Sequence, residues 1–190
     1  NKNILYCGND IGVYISFDQG ENWLDFKLNM PNVTVKDLKI QPREMDLIAG
    51  TYGRGAYVCD VSMISQINTE ILDKDFHLFN IEDKPVSNYS ERAYWGNYEF
   101  TGDNHLFTQN EANVLSVYSY FRDSIDKEVE LIIQNDKISD TIKFLPQQGL
   151  NVTNIPTRNL EPGSYKIHLE FMGKRQIKTV QVIETKDWPL

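Results

Sequence analysis

Several groups of side chains have types and spacings that chemistry uses. Ser16-Phe17-Asp18-Gln19-Gly20-Glu21-Asn22-Trp23 has the form Ser-x-Asp-x-Gly-x-x-Trp. Glu128 and Glu130 sit two positions apart in a strand-like run. On one strand face they would stand about 7 Å apart, a separation used by inverting glycosidases. Tyr89, Tyr94, Trp95 and Tyr98 are interleaved with Asn88, Asn97 and Asn104. Aromatic rings with amide neighbours can stack on sugars, so Tyr94, Trp95 and Tyr98 are candidate carbohydrate-binding residues; the competing reading is an interdomain packing plug. Alternating acids on an exposed strand are the ordinary solvated case, so no catalytic residue is assigned.

The octapeptide reads as a structural staple. Asp18 can accept from backbone donors as Asx-type turns do, Gly20 can take the positive φ of a tight turn, and Ser16 can bond into the same loop under Trp23. A calcium site is the alternative, but one carboxylate falls short of the 6–8 oxygens that ion takes. His77, His105 and His168 lie far apart without partners at metal spacing, so no zinc site is predicted. No cofactor is expected. Cys7 and Cys59 are read as buried free thiols in comparable strands of a repeat, not as a bridge.

The elements that would position these groups are strands. Leu5-Tyr6-Cys7-Gly8-Asn9 is echoed 42 positions later by Leu47-Ile48-Ala49-Gly50-Thr51. Gly12-Val13-Tyr14-Ile15 is echoed 43 positions later by Gly55-Ala56-Tyr57-Val58. A repeat of about 40–45 residues suits one propeller blade. Val13, Ile15 and Phe17 share one face by period two. Leu24, Phe26 and Leu28 are the expected buried side of the next strand, which Pro31 stops. Strands follow at 33–35 with 38–40, at 46–51 and at 55–61, the last two joined by Tyr52-Gly53-Arg54-Gly55. A helical stripe over Ser62–Asp73 predicts one short linker helix, with Ser62 as its cap. Residues 74–112 show little periodicity. Strand patterns return over Val114–Phe121, Val129–Ile133, Ile142–Phe144 and Tyr165–Phe171, with Leu160-Glu161-Pro162-Gly163 as a turn. In the last strand Ile177, Val180 and Val182 change parity once, which predicts a β-bulge near Thr179.

The expected fold is therefore all-β: a partial β-propeller segment of about two blades at 1–62, a linker with a short helix and an irregular clamp at 63–112, and an immunoglobulin- or fibronectin-like β-sandwich at 113–190. The octapeptide resembles the Asp-box of BNR-repeat propellers, found in sialidases and the sortilin-like family, with Ser16, Asp18, Gly20 and Trp23 as its structural residues. Ile4–Tyr14 resembles the strand pair before such a box, and Asp46–Gly55 resembles the final blade of large secreted bacterial proteins of the BNR-repeat or sortilin-like glycosyl hydrolase kind. In those proteins a helical connection and an immunoglobulin-like domain follow, and Leu160–Tyr165 is similar to a turn of that domain. The resemblance implies that the sialidase-type arginine cluster, Tyr–Glu pair and acid belong to other blades; Arg54 and Arg43 receive no catalytic role.

Composition bounds the rest. Aromatic residues make up 12% and charged residues 24%, which excludes disorder. The net charge of −8 argues against a nucleic-acid partner. No window approaches a transmembrane span, and no signal-peptide pattern opens the chain, so a leader is expected to be absent or removed. Asn32, Asn88 and Asn151 begin Asn-x-Ser/Thr sequons. The expected function is a non-catalytic C-terminal region of a secreted or periplasmic, cell-envelope glycosidase-like protein, closing the propeller and positioning it. The alternatives are a carbohydrate-binding module and a sortilin-like protein–protein interaction scaffold. Expected partners are a glycan, a cell-envelope protein, or a second copy paired through open propeller strands.

Overall fold

The computed structural model describes residues 3–26, 30–86 and 112–184. The chain is all-β and divides into two compact units, Asn1–Lys74 and Asp75–Leu190.

The first unit begins with two three-stranded antiparallel meanders. Strands β1 (Leu5–Gly8), β2 (Val13–Ser16) and β3 (Leu24–Asp25) form one, and β4 (Val35–Gln41), β5 (Asp46–Thr51) and β6 (Ala56–Asp60) form the other. The internal repeat matches the pairing register residue by residue. Tyr6 opposes Ile15, Cys7 opposes Tyr14 and Gly8 opposes Val13. At the echoed positions Ile48 opposes Val58, Ala49 opposes Tyr57 and Gly50 opposes Ala56. The turns agree as well: the Asn9 amide donates to the Gly12 carbonyl and the Thr51 amide to the Gly55 carbonyl, each at 2.9 Å. The extra residue of the second copy is absorbed inside its loop. Thus β1 corresponds to β5 and β2 to β6.

Val13, Met30, Val33, Val35, Leu47, Ala49 and Val61 form the buried core of this unit, flanked by Tyr6, Phe26, Leu38 and Tyr57. Here the two sheets approach closely. A Cβ on Gly8 would lie 2.6 Å from Cγ1 of Val35, and the Val35 amide donates to the Asn9 carbonyl at 2.8 Å. Leu24 opposes buried Ile15 but is itself exposed, contrary to the expected burial. Strand β3 is a two-residue strand at the edge of its sheet, and among the described residues no strand lies beyond it. Phe26 is half-buried, edge-on to Tyr6 with centroids 5.8 Å apart. Leu28 lies outside the described residues.

The helical stripe over 62–73 is split. A 3-10 turn covers Ile64–Gln66, and helix α1 spans only Thr69–Leu72. Ile67 is extended, with ψ 134°. The cap is Asn68, not Ser62: its side chain accepts from the Ile71 amide at 2.9 Å and starts a new helix.

The second unit is a sandwich. Its strands are β7 (Phe76–Leu78), β8 (Lys84–Val86), β9 (Val114–Phe121), β10 (Val129–Gln134), β11 (Ser139–Phe144), β12 (Gly149–Pro156), β13 (Gly163–Phe171) and β14 (Lys174–Glu184). One sheet has the order β12-β9-β7 and the other β11-β10-β13-β14-β8. All pairs are antiparallel except β14 with β8. Strands β7 and β8 thus fall within the stretch 63–112 expected to be a connection, yet they pair with sandwich strands. They escaped the sequence pattern because three residues show no period, and Pro85 is tolerated because β8 is an edge strand.

Leu115, Val117 and Phe121 from one sheet meet Val129, Leu131, Ile133, Tyr165, Ile167, Leu169, Val180 and Val182 from the other. Each such side chain contributes about 1.5–3 kcal/mol when fully buried. The strands segregate as in immunoglobulin-type sandwiches, and Tyr165 at the start of β13 donates from Oη to the Glu161 carbonyl at 2.9 Å, the tyrosine corner of that fold.

The expected bulge near Thr179 does not occur. Register between β13 and β14 is unbroken from Gly163–Val182 to Phe171–Lys174. Ile177 simply faces outward beside His168. The inward positions before Val180 hold polar residues that bond to β7 and to the segment that follows it. Gln176 accepts from the Leu78 amide at 2.9 Å and donates to the Phe76 carbonyl at 3.1 Å. Lys178 reaches Asn80 at 2.6 Å.

Candidate functional site

The loop between β2 and β3 gathers the four residues singled out from the sequence. Ser16 is fully buried and acts in three directions. Its hydroxyl donates to Asp18 Oδ1 at 2.8 Å and accepts from the amides of Gly20 at 2.8 Å and Asp18 at 3.3 Å. Asp18 then accepts from the Asn22 amide at 2.9 Å and from the Asn22 side-chain amide at 2.7 Å. Gly20 has φ 97°, a left-handed conformation that disfavours other residues. Its carbonyl accepts from the indole of Trp23 at 3.0 Å.

Asn22 is the member of this loop that sequence reasoning missed. It stands at an unspecified position of the motif, yet it donates twice. The donors hold the Asp18 carboxyl down to about 2: first the Asn22 amide, then the Asn22 side chain, then the Ser16 hydroxyl. Asp18 is therefore an anion at neutral pH with both oxygens engaged inside its own turn. Among the described residues no group of three or more His, Cys, Asp and Glu side chains is placed to hold a metal ion.

The acidic pair lies elsewhere. Glu130 is on β10, bonded to Lys143 Nζ at 3.0 Å, and Glu128 is exposed just before that strand. Both border an open groove of about 720 Å³, which is also lined by Ile132, Glu170, Met172 and Arg175. Arg175 is bonded to Glu170 through Nε at 3.1 Å and Nη2 at 2.9 Å. Glu130 and Glu170 are thus each held by a cation of the same sheet. His168, largely buried between Ile132 and Ile177, has its pKa lowered by burial first and then by Arg175 and Lys166.

The thiols differ from expectation. Both are free, but Cys7 is exposed and Cys59 is half-buried. Nor are they equivalent: by register Cys7 corresponds to Ala49, and Cys59 to Ser16. Burial, then Asp60 and Asp46, push the Cys59 thiol up. Tyr6 is pushed up to about 12 by burial and by Cys59. Arg54 is exposed in the β5–β6 loop, and Arg43 bonds Glu44 at 2.6 Å. Tyr94, Trp95 and Tyr98, with His105 and Asn88, lie outside the described residues. No helix among the described residues is long and apolar enough to cross a membrane.

No family model matches the chain, and no curated protein matches it significantly.

Proposed function

We propose that the chain is a non-catalytic architectural region of a BNR-repeat or sortilin-like propeller protein of the glycosidase-like class, closing its ring of blades and positioning it at the cell envelope or outside the cell. The observation that carries this reading is the coincidence of the internal repeat with the pairing register, down to the turn hydrogen bonds. By that equivalence the first meander corresponds to the second to fourth strands of a blade, and the second to the first to third strands of the next. The Ser16–Trp23 loop then lies between a third and a fourth strand. Its hydrogen bonds are internal, which supports a stapling role over a chemical one. The paired state of Glu130 and Glu170 supports the non-catalytic half of the proposal.

The test is a panel of glycoside substrates together with a glycan array. No turnover is expected from the chain. Turnover that survives purification to homogeneity and disappears in Glu130→Gln would overturn the reading. Sugar binding lost in Trp95→Ala would replace it with a carbohydrate-binding module.

A further inference from the structure

In the second unit the segment that enters the sandwich and the strand that leaves it form one seam. Residues 76–86 run alongside β14 in the same direction. The Gln176 side-chain amide bonds the Phe76 carbonyl at 3.1 Å and the Leu78 amide at 2.9 Å. Asn80 accepts from Lys178 Nζ at 2.6 Å, and the Asp83 carboxylate accepts from the Gln181 amide at 2.7 Å. Lys84, Pro85 and Val86 of β8 then pair in parallel with Val182, Ile183 and Glu184. Each partner on β14 lies 98 or 100 positions further along the chain, so the two sides advance together. At the entry the Asp75 carboxylate holds Arg122 at 2.5 Å and Lys174 at 3.3 Å, and the Arg122 amide donates to the Asp75 carbonyl at 3.0 Å.

Tension across this unit enters at Asp75 and leaves at Glu184, which lie at opposite ends of the seam. It slides one side along the other, so the joints share the load and must yield together. Had β14 run antiparallel to the entering segment, both loaded points would lie at one end, and the joints would peel off singly. Pro85 gives the ladder no donor. Side chains supply the joints instead, and those of Lys178 and Asp83 are charge-assisted, about twice as strong as neutral bonds.

We propose that the second unit is a force-bearing stem, carrying tension from the first unit through Asp75 to the C-terminal end of β14, with the seam as its clamp. The inference rests on the positioning role proposed above and says how that position is held under load. Forced unfolding is governed by the unfolding rate. Loss of one seam bond is therefore expected to speed rupture about fivefold at constant load.

The experiment is optical-trap unfolding of the full chain at constant load, with Cys7→Ser and Cys59→Ser so that a thiol handle attaches only where it is placed. One handle stays at the N-terminus. The other is linked at the C-terminus, which loads the seam in shear, or to Met172→Cys in the β13–β14 turn, which peels the seam from its Asp75 end. Met172 is 72% exposed, so the handle displaces no packing. The second unit is the longer one, so its rupture is the larger step. At equal load that step is expected to be slower in shear than in peel, a comparison that needs no change in the seam. Asp83→Ala is expected to speed shear rupture about fivefold and Gln176→Ala by more. Tyr165→Phe, which loses a bond away from the seam, is expected to leave shear rupture unchanged. Equal rates in the two geometries overturn the proposal, as does Asp83→Ala without effect in shear, or Tyr165→Phe that speeds shear rupture as much as Asp83→Ala. Any of these leaves the architectural reading standing, because that reading falls on turnover or sugar binding instead.

Discussion

Gly8 and Gly50 occupy the same place in two copies of one repeat, and adding a methyl group to each should act in opposite directions. At Gly8 the new Cβ would sit 2.6 Å from Val35 Cγ1 and 3.0 Å from its Cβ. Valine is stiff at χ1, so relief requires the sheets to part. Overpacking of this kind costs about 1–3 kcal/mol. At Gly50 the nearest atom would be the Asp37 carbonyl oxygen at 3.7 Å, ordinary contact distance. There Gly50→Ala should stabilise by about 0.4–1 kcal/mol, because alanine narrows the unfolded ensemble. Gly8→Ala gains the same entropy term, leaving a net loss of about 1–2 kcal/mol. The difference between the variants is then roughly 2 kcal/mol, or about thirtyfold in an opening equilibrium. Hydrogen exchange of peptides from β1 to β6 measures this directly, with peptides from β9 to β14 as an internal control. Equal effects of the two substitutions, or a stabilised Gly8→Ala, would refute the close approach of the two sheets at Gly8.

Further expectations concern the loop and the sandwich. Asp18 has a folded pKa lowered from 3.8 to about 2, so its stabilisation is fully present above the unfolded value and is lost as pH falls through the folded one. Melting temperature should therefore drop between about pH 4 and pH 2, and Asp18→Asn should melt lower at neutral pH and lose much of that acid dependence. Gln176→Ala leaves the Leu78 amide and Phe76 carbonyl without this partner, at a cost of about 1–3 kcal/mol by urea unfolding. Gln176→Leu should recover little, since it cannot bond either group. Tyr165→Phe removes the corner hydrogen bond to Glu161 and should cost about 0.5–1.5 kcal/mol.

Much of this fold was legible because strands with one buried face write their period into the chain. Val129, Leu131 and Ile133 are buried, as alternation predicts, and so are Tyr165, Ile167 and Leu169. The repeat was legible because equal registers demand equal spacings. Failures came where a local device overrode the pattern. Asn68 interrupted an apolar stripe that otherwise suits one helix. Gln176 occupied an inward position and made a regular strand look bulged. Leu24 kept inward parity, but among the described residues no strand lies beyond β3 to cover it. The candidate loop was readable from Ser16, Asp18, Gly20 and Trp23, whereas Asn22 was hidden because its role depends on chain reversal bringing it back to Asp18.

The single-residue difference between the turns at 9–12 and 51–55 leaves every cross-strand partner unchanged. Spacing between β5 and β6 is thus decoupled from which way their side chains point. The arch at Tyr52–Gly55 can be lengthened without turning the sheet inside out, and neither Gly53 nor Gly55 would crowd a neighbour there. That makes this arch the natural splice point for a fluorophore-bearing or affinity-tag insert, one that reports on the first unit without disturbing its packing.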